Sequence, residues 1–374
     1  MIPVNRPNIT ETDRKVLSDT LLETFISGES PPVKSLQRNL EATLNVKHAA
    51  AFSSGTTAID LCVEALGIKP GDICIVPTFT IISTVSSLLR KGAKLLLVDS
   101  DPFTWNMDSS EASRWIDKSV KLILPVHIYG LSVDMDPIIQ RASETNTFVL
   151  EDAAEALGVR YKGKHCGTLG DAGVFSFYAN KIVTGGEGGA VVSNSEKFID
   201  RVSYLRNLCF SPEERFVHKE LGWNGRISGL AASLASSQLS RLDVLVTEKK
   251  AIGRQYLDGL AGHPWFDFQP IETDYSSNLF WVFGAVLKNT VPINAKELQE
   301  LLKNRGVETR RFFCPIHLQP INLEKQLEFT SDLRNSEVLW NRGLYFPSGL
   351  GNTKEEIETV IDILWSLVSQ LNKK

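Results

Sequence analysis

Apolar runs and helical patterns alternate between about residues 55 and 151. A helix is predicted from Gly55 through AIDLCVEALG, then a strand at DICIVP, a helical stretch after Phe79, strands at KLLLVDS and KLILPVH, a helix across Asp136–Ala142, and a strand FVLED ending at Asp152. Short apolar strands separated by helices imply parallel strands with crossover helices, an α/β fold whose ligands collect at the carboxyl ends of the strands. A hairpin at Lys162–Lys164, the strand GVFSF, a glycine-rich loop and the strand AVVS read as the other side of the same sheet.

Further on, Leu230, Leu234, Leu239, Leu242 and Leu245 recur at roughly helical spacing and predict one long helix from about Ser228 to Leu260. A strand LFWVFGAVL, a helix from Asn294 to Asn304 and an amphipathic final helix around Glu355–Leu371 follow. The expected organisation is a large α/β domain over residues 1–250 and a smaller α+β domain over residues 251–374.

Composition narrows the function classes. A chain of 374 residues, 43% hydrophobic, can bury cores for two domains. The net charge of −4, from 40 basic and 44 acidic residues, gives no general attraction to nucleic acid or to an anionic membrane. No apolar run approaches the roughly 18 residues of a spanning helix, and MIPVNRPNITETDRK lacks a charged region followed by an apolar one, so a soluble cytoplasmic protein is expected. Cys62, Cys74, Cys166, Cys209 and Cys314 are scattered without disulfide or zinc-ligand spacing, and no metal centre is expected.

The candidate chemistry centres on FSFYANKIVTGGEGG, residues 175–189, where Lys181 lies between an apolar strand and a glycine-rich run. A lysine used for Schiff-base chemistry must lose its proton readily, which burial promotes. The glycines let backbone pass close to a ligand, although a structural glycine loop would look the same. Asp152 ends a strand and precedes Ala153 and Ala154, whose small side chains leave room for a flat ring. An aspartate can keep a pyridinium nitrogen protonated, but on its own Asp152 serves equally well to cap a turn. Ser53, Ser54, Gly55, Thr56 and Thr57 open a helix, where hydroxyls and N–H groups suit a phosphate or simply cap the helix. Ser176 is a further phosphate donor.

The order of phosphate loop, strand-end aspartate and lysine resembles the DegT/DnrJ/EryC1/StrS sugar aminotransferases, which have the fold-type I, aspartate aminotransferase-like architecture. The resemblance runs through SSGTTA, VPTFT, PVHIYG, EDAAEALG, FSFYANK and GVETRRFFCPIH. It implies pyridoxal 5′-phosphate as cofactor, with Lys181 as its tether, Asp152 at the pyridine nitrogen, Ser54, Gly55, Thr56 and Ser176 at the phosphate, and Glu155 near the phenolic oxygen. The segment GWNGRISGLAASLASSQLSRLD is similar to one in which an asparagine crosses a dimer, which places Asn224 at the partner's cofactor and implies a homodimer with shared active sites. Asn224 would otherwise merely shape a turn.

Within the family, LFWVFGAVL and GVETRRFF…PIH are similar to segments of the GDP-perosamine synthases. That branch implies L-glutamate as amino donor and GDP-4-keto-6-deoxy-D-mannose as acceptor, for surface polysaccharide synthesis. A UDP- or dTDP-linked keto sugar and a small phosphorylated ketone are alternatives, as is a non-catalytic binding or regulatory role on the same fold. Relatives that dehydrate sugars carry histidine where Lys181 stands. His127 is expected to line the pocket and meet the substrate or to be a satisfied half-buried histidine, His317 is expected near the substrate, and Arg310 or Arg311 is expected either to offer a fork of donors to its anionic group or to be solvated at the surface. Two positions depart from the family pattern: Ile81 stands where an aromatic residue usually stacks on the cofactor ring, and Gly225 where relatives often carry an aromatic residue.

Overall fold

The fold is described from a computed structural model covering residues 1–371 other than 25, 212 and 322–324. Its main sheet has eight strands, in the order His48–Phe52, Gly189–Ser193, Ala172–Ser176, Phe148–Asp152, Val120–Ile123, Ile73–Pro77, Lys94–Val98 and Leu327–Phe329. Every strand but Gly189–Ser193 runs in one direction. The expected mostly parallel α/β sheet is therefore present.

These strands are largely apolar because both faces of the sheet are covered. Alternate residues feed two separate cores. Ile75, Val149, Phe175 and Val192 pack on one side with Leu36 and Leu40 of the helix Pro31–Leu44. Cys74, Val76, Leu150, Val174 and Val191 pack on the other with Ala58, Leu61 and Cys62 of the helix Gly55–Ala65. The period of two along a strand thus sends Glu151 to the first face and Asp152 to the second.

A second sheet, wholly antiparallel, orders Phe266–Asp267, Phe283–Leu287, Gly343–Phe346 and Arg310–Arg311. Its core includes Leu298, Val360 and Leu364 from the helices Ala295–Lys303 and Lys354–Leu371, with Tyr256 stacked on Phe283 at 4.5 Å. The helix Ala295–Lys303 starts where its capping box predicts, with Asn294 and Glu297 each accepting the other's backbone N–H.

Four features differ from the pattern-based expectation. The long helix is two, Gly229–Leu239 and Leu242–Gly259, broken at Ser240–Arg241, where the Arg241 guanidinium donates to Asp13 at 2.7 Å. The strand expected at Leu279 begins only at Phe283, because Phe280 turns into the left-handed region with φ of 55°. The short strand Leu327–Phe329 returns from the C-terminal part to pair with Lys94–Val98 in the large sheet. Residue 250 falls inside the helix Leu242–Gly259, and Ile2 bridges to Val307 while Arg6 pairs with Glu356 at 2.9 Å, so the first residues lie against the C-terminal part.

Candidate active site

At the carboxyl ends of the main strands lies a cavity of about 510 Å³, lined by Asp152, Glu155, Ser176, Lys181, the Ser54–Thr56 turn and Ile81, with Trp281, Arg310, Phe313 and Tyr345 contributed from the C-terminal part. The sheet alone could not close it. Residues far apart in sequence meet here because the strand ends and the second sheet face one another.

The wall at Ser54 is a helix N-terminus. Ser54 is extended, and its Oγ accepts the N–H of Thr57 at 3.0 Å, so that hydroxyl caps the helix Gly55–Ala65. The first N–H groups of a helix have no acceptor within it, and Gly55 and Thr56 both line the cavity. A side chain at Gly55 would crowd the neighbouring strand: its Cβ would lie 3.1 Å from Ser176 Cβ, so Ser176 would have to give by a few tenths of an ångström. Glycine lets the helix start close against the strand that carries Ser176.

Asp152, 3% exposed, is held from both sides: Oδ2 accepts the Thr84 hydroxyl at 2.9 Å and Oδ1 the N–H of Ala154 at 3.1 Å. Burial raises its pKa, and the Ala154 and Thr84 hydrogen bonds and the Lys181 charge oppose the rise. Glu155 accepts the N–H of Tyr129 at 2.9 Å and lies 3.8 Å from Lys181 Nζ, with its pKa also pushed up by burial. The Lys181 side chain is 12% exposed, and burial pulls its pKa down while Glu155 and Asp152 hold it up. Two carboxyls and an amine therefore share one poorly solvated volume, where proton exchange costs little.

Several expected residues lie elsewhere. His127 does not line the cavity: it is fully buried, Nδ1 accepts the N–H of Val133 at 3.1 Å, and Nε2 therefore carries the hydrogen donated to Glu151 at 3.0 Å. Both ring nitrogens are thus engaged away from the cavity, where the substrate contact expected of His127 would have needed one of them. His317 also lies off the cavity lining, with Nδ1 2.7 Å from the Thr78 hydroxyl and Nε2 3.3 Å from Glu337. Asn224 is exposed, outside the cavity, and bridges Asn207. Arg310 and Arg311 both line the cavity: the Arg310 side chain is 62% exposed and 3.6 Å from Glu308, and Arg311 also lies over the Trp340 ring and donates to the Trp340 carbonyl at 3.1 Å. The glycine at 225 has a packing reason, since a Cβ there would lie 2.9 Å from Thr57 Cγ2.

Two further residues of the site carried no separate signal. Thr84, behind the cavity lining, orients Asp152 from an undistinguished helical turn and accepts the Thr80 hydroxyl at 3.0 Å. Trp281 stood inside a run read as strand, yet its ring centroid is 3.8 Å from Lys181 Nζ. The signal available was a tryptophan in an otherwise aliphatic and phenylalanine-rich stretch.

The donor set fits pyridoxal phosphate. Helix-end N–H groups with Ser176 suit a phosphate, a buried aspartate fixed by two donors suits a protonated ring nitrogen, and a buried amine lies on the cavity wall. Ile81 offers apolar cover, 46% exposed, in place of a stacking ring.

A family model for the DegT/DnrJ/EryC1/StrS aminotransferases matches residues 7–365. The chain is 32% identical over 364 residues to a GDP-perosamine synthase of Vibrio cholerae, spanning 97% of this chain and 98% of that protein. It is 33% identical over 363 residues to one from Caulobacter vibrioides, covering 97% of each. An aminotransferase from Streptoalloteichus hindustanus shares the fold with a TM-score of 0.92 over the full length of both chains, at 24% identity. The chain belongs to the DegT/DnrJ/EryC1/StrS aminotransferase family and is a pyridoxal 5′-phosphate-dependent sugar aminotransferase.

Proposed function

We propose that the protein moves the amino group of L-glutamate to the C4 ketone of a nucleotide-linked 4-keto-6-deoxy sugar, with GDP-4-keto-6-deoxy-D-mannose as acceptor and GDP-perosamine as product. The observation that carries the chemistry is the buried group of Lys181, Glu155 and Asp152 at the strand ends. The acceptor is supported by the GDP-perosamine synthases to which the chain is similar over nearly all its length.

When bound, pyridoxal phosphate supplies the carbonyl that carries the amino group and the ring that takes up the electron pair of a broken C–H bond. Lys181 holds the group while idle and, once released, takes the proton from the glutamate α-carbon and returns it on the cofactor side. Asp152 keeps a proton on the ring nitrogen by its negative charge, and its hydrogen bonds from Thr84 and Ala154 fix its direction. Glu155, 3.8 Å from the amine, is the carboxyl with which Lys181 exchanges a proton. Gly55, Thr56 and Ser176 bind phosphate, and Ile81 covers the ring. Arg310, on the cavity mouth, meets the anionic part of the sugar nucleotide.

The working unit in this reading is a homodimer in which Asn224 completes the partner's phosphate site, which accounts for an exposed asparagine beside exposed Leu221 and Trp223. The setting is the cytoplasm, supported by five free cysteines and by the finding that no helix among the described residues is long and apolar enough to cross a membrane.

The test is an absorbance spectrum of the protein with pyridoxal phosphate before and after L-glutamate, followed by a panel of GDP-, UDP- and dTDP-linked keto sugars. A visible band that shifts with glutamate, and returns only with the GDP sugar, supports the full reading. Return with another nucleotide moves the acceptor and leaves the chemistry standing. No band in folded protein removes both.

A further inference from the structure

The segment from Asn278 to Trp281 carries an unusual amount of local constraint for a stretch that ends in one aromatic side chain. Phe280 is a bulky residue at φ of 55°, held there by Asn278, whose Oδ1 accepts the Phe280 N–H at 2.7 Å and whose Nδ2 donates to the Pro270 carbonyl at 3.1 Å. Gly130, at φ of 97°, accepts the N–H of Leu279 at 2.8 Å, and a Cβ there would come within 2.7 Å of the Trp281 nitrogen. Backbone held in sparsely populated regions by its surroundings gathers at functional sites. Here the product of the strain is the direction of the Trp281 indole.

That indole is fixed at both ends. Its N–H donates to the carbonyl of Asn180 at 3.0 Å, the residue next to Lys181, and its ring lies beside Tyr129 with centroids 6.1 Å apart and planes at 29°. The Lys181 Nζ stands 3.8 Å from the ring centroid, while its other neighbour, the Glu155 carboxyl, is 3.8 Å away. Among the described residues this is the one lysine placed over a tryptophan. At 5% exposure, the ring works in a poorly solvated place, where a cation over an aromatic face is held more strongly than in water.

We propose that the Trp281 face is the resting seat of the Lys181 ammonium whenever that lysine is not bonded to the cofactor. The inference rests on Lys181 being the cycling amine. Burial alone favours a neutral amine, which would be free to swing. The indole and Glu155 together keep the amine charged and in one place, so that Trp281 acts as a positioning residue that sets when Lys181 gives up its proton.

The reading is tested on the full-length protein before cofactor loading. Trace acetylation of the Lys181 peptide across neutral and alkaline pH gives the amine's titration directly. Removing a cation–π partner removes a preference for the charged form, so Trp281→Leu lowers the Lys181 midpoint by about one pH unit. A smaller residue that merely admitted water would raise it instead. Replacing all tryptophans with a fluorinated analogue keeps the ring's shape and withdraws electron density, and the midpoint falls again by a smaller step. A midpoint that is unchanged or higher with the fluorinated rings overturns the proposal, including where the leucine variant does not fold. Borohydride reduction of the loaded protein, followed by peptide mapping, reports separately whether Lys181 is the tether. A tether at Lys181 with no response to Trp281 defeats only the seat, and a tether elsewhere defeats the functional reading first.

Discussion

Glu151 and Asp152 are consecutive on one strand and both are buried, yet they sit in opposite kinds of surroundings. Glu151, on one face of the sheet, accepts four hydrogen bonds: the N–H groups of Leu169 and Gly170 on Oε1 at 2.6 and 2.7 Å, and the Gly167 N–H and His127 on Oε2 at 2.7 and 3.0 Å. Asp152, on the other face, accepts one hydroxyl and one backbone N–H and opens on the cavity beside Lys181 and Glu155. The first carboxylate is saturated and ties a loop to the sheet. The second retains capacity for a ligand. A buried charge with every lone pair engaged is structural, and one with capacity to spare at a cavity wall is available for chemistry.

The largest effect that would break this contrast is at the amine. Lys181→Ala removes both tether and proton carrier, and turnover should fall by on the order of 10⁴-fold, with circular dichroism and melting unchanged. A variant that kept visible absorbance and turnover would show that the cavity group is not the chemical one. Next comes Asp152→Asn, which keeps the shape and removes the charge beside the ring nitrogen. We expect kcat to drop on the order of 10²-fold or more while the protein stays folded, measured by glutamate-dependent half-reaction rates.

Glu151→Gln sharpens the other half. The amide would turn a donor toward N–H groups that now meet an oxygen, leaving buried donors opposed, and the cost is about 3 kcal/mol of stability by denaturant unfolding. Activity per folded molecule should change far less than in Asp152→Asn. A stable Glu151→Gln protein with lost turnover would reverse the assignment of the two faces.

The sequence made part of this contrast legible. Asp152, Gly55 and Lys181 could be placed because each closes a strand or opens a helix, and chemistry in a parallel sheet gathers there. The period of two also puts Glu151 and Asp152 on opposite faces. It does not say which face holds the ligand, because both are equally apolar in Val149 and Leu150. His127 shows why roles were harder. Its fate depends on Glu151, 24 residues on, and on the Val133 N–H, neither of which marks the local pattern. Trp281 is hidden for a similar reason: a continuous apolar run predicts a strand, and the turn at Phe280 that aims the indole comes from Asn278 and Gly130. The break at Ser240 is set by Asp13 at the far end of the chain, beyond the reach of helical spacing.

Lys249 extends the comparison to a cation, and over any one pH unit its expected effect is the smallest. It is 3% exposed, its amine donates to the Ser348 carbonyl, and burial pulls its pKa from an ordinary 10.5 to about 7. Unlike Glu151, it has that carbonyl as its one hydrogen-bond partner among the described residues. Between about pH 7 and 10.5 the unfolded chain holds this proton more firmly than the folded one. Stability from this group is therefore complete above the unfolded value and is lost as pH falls toward 7, by at most about 1.4 kcal/mol per pH unit. Lys249→Met removes that slope. Denaturant midpoints of the two proteins, compared from neutral to alkaline pH, should converge as pH rises, with the methionine variant favoured most near neutrality. Parallel curves would mean that Lys249 keeps its proton when folded, and that a single carbonyl partner suffices to hold a buried charge in this protein.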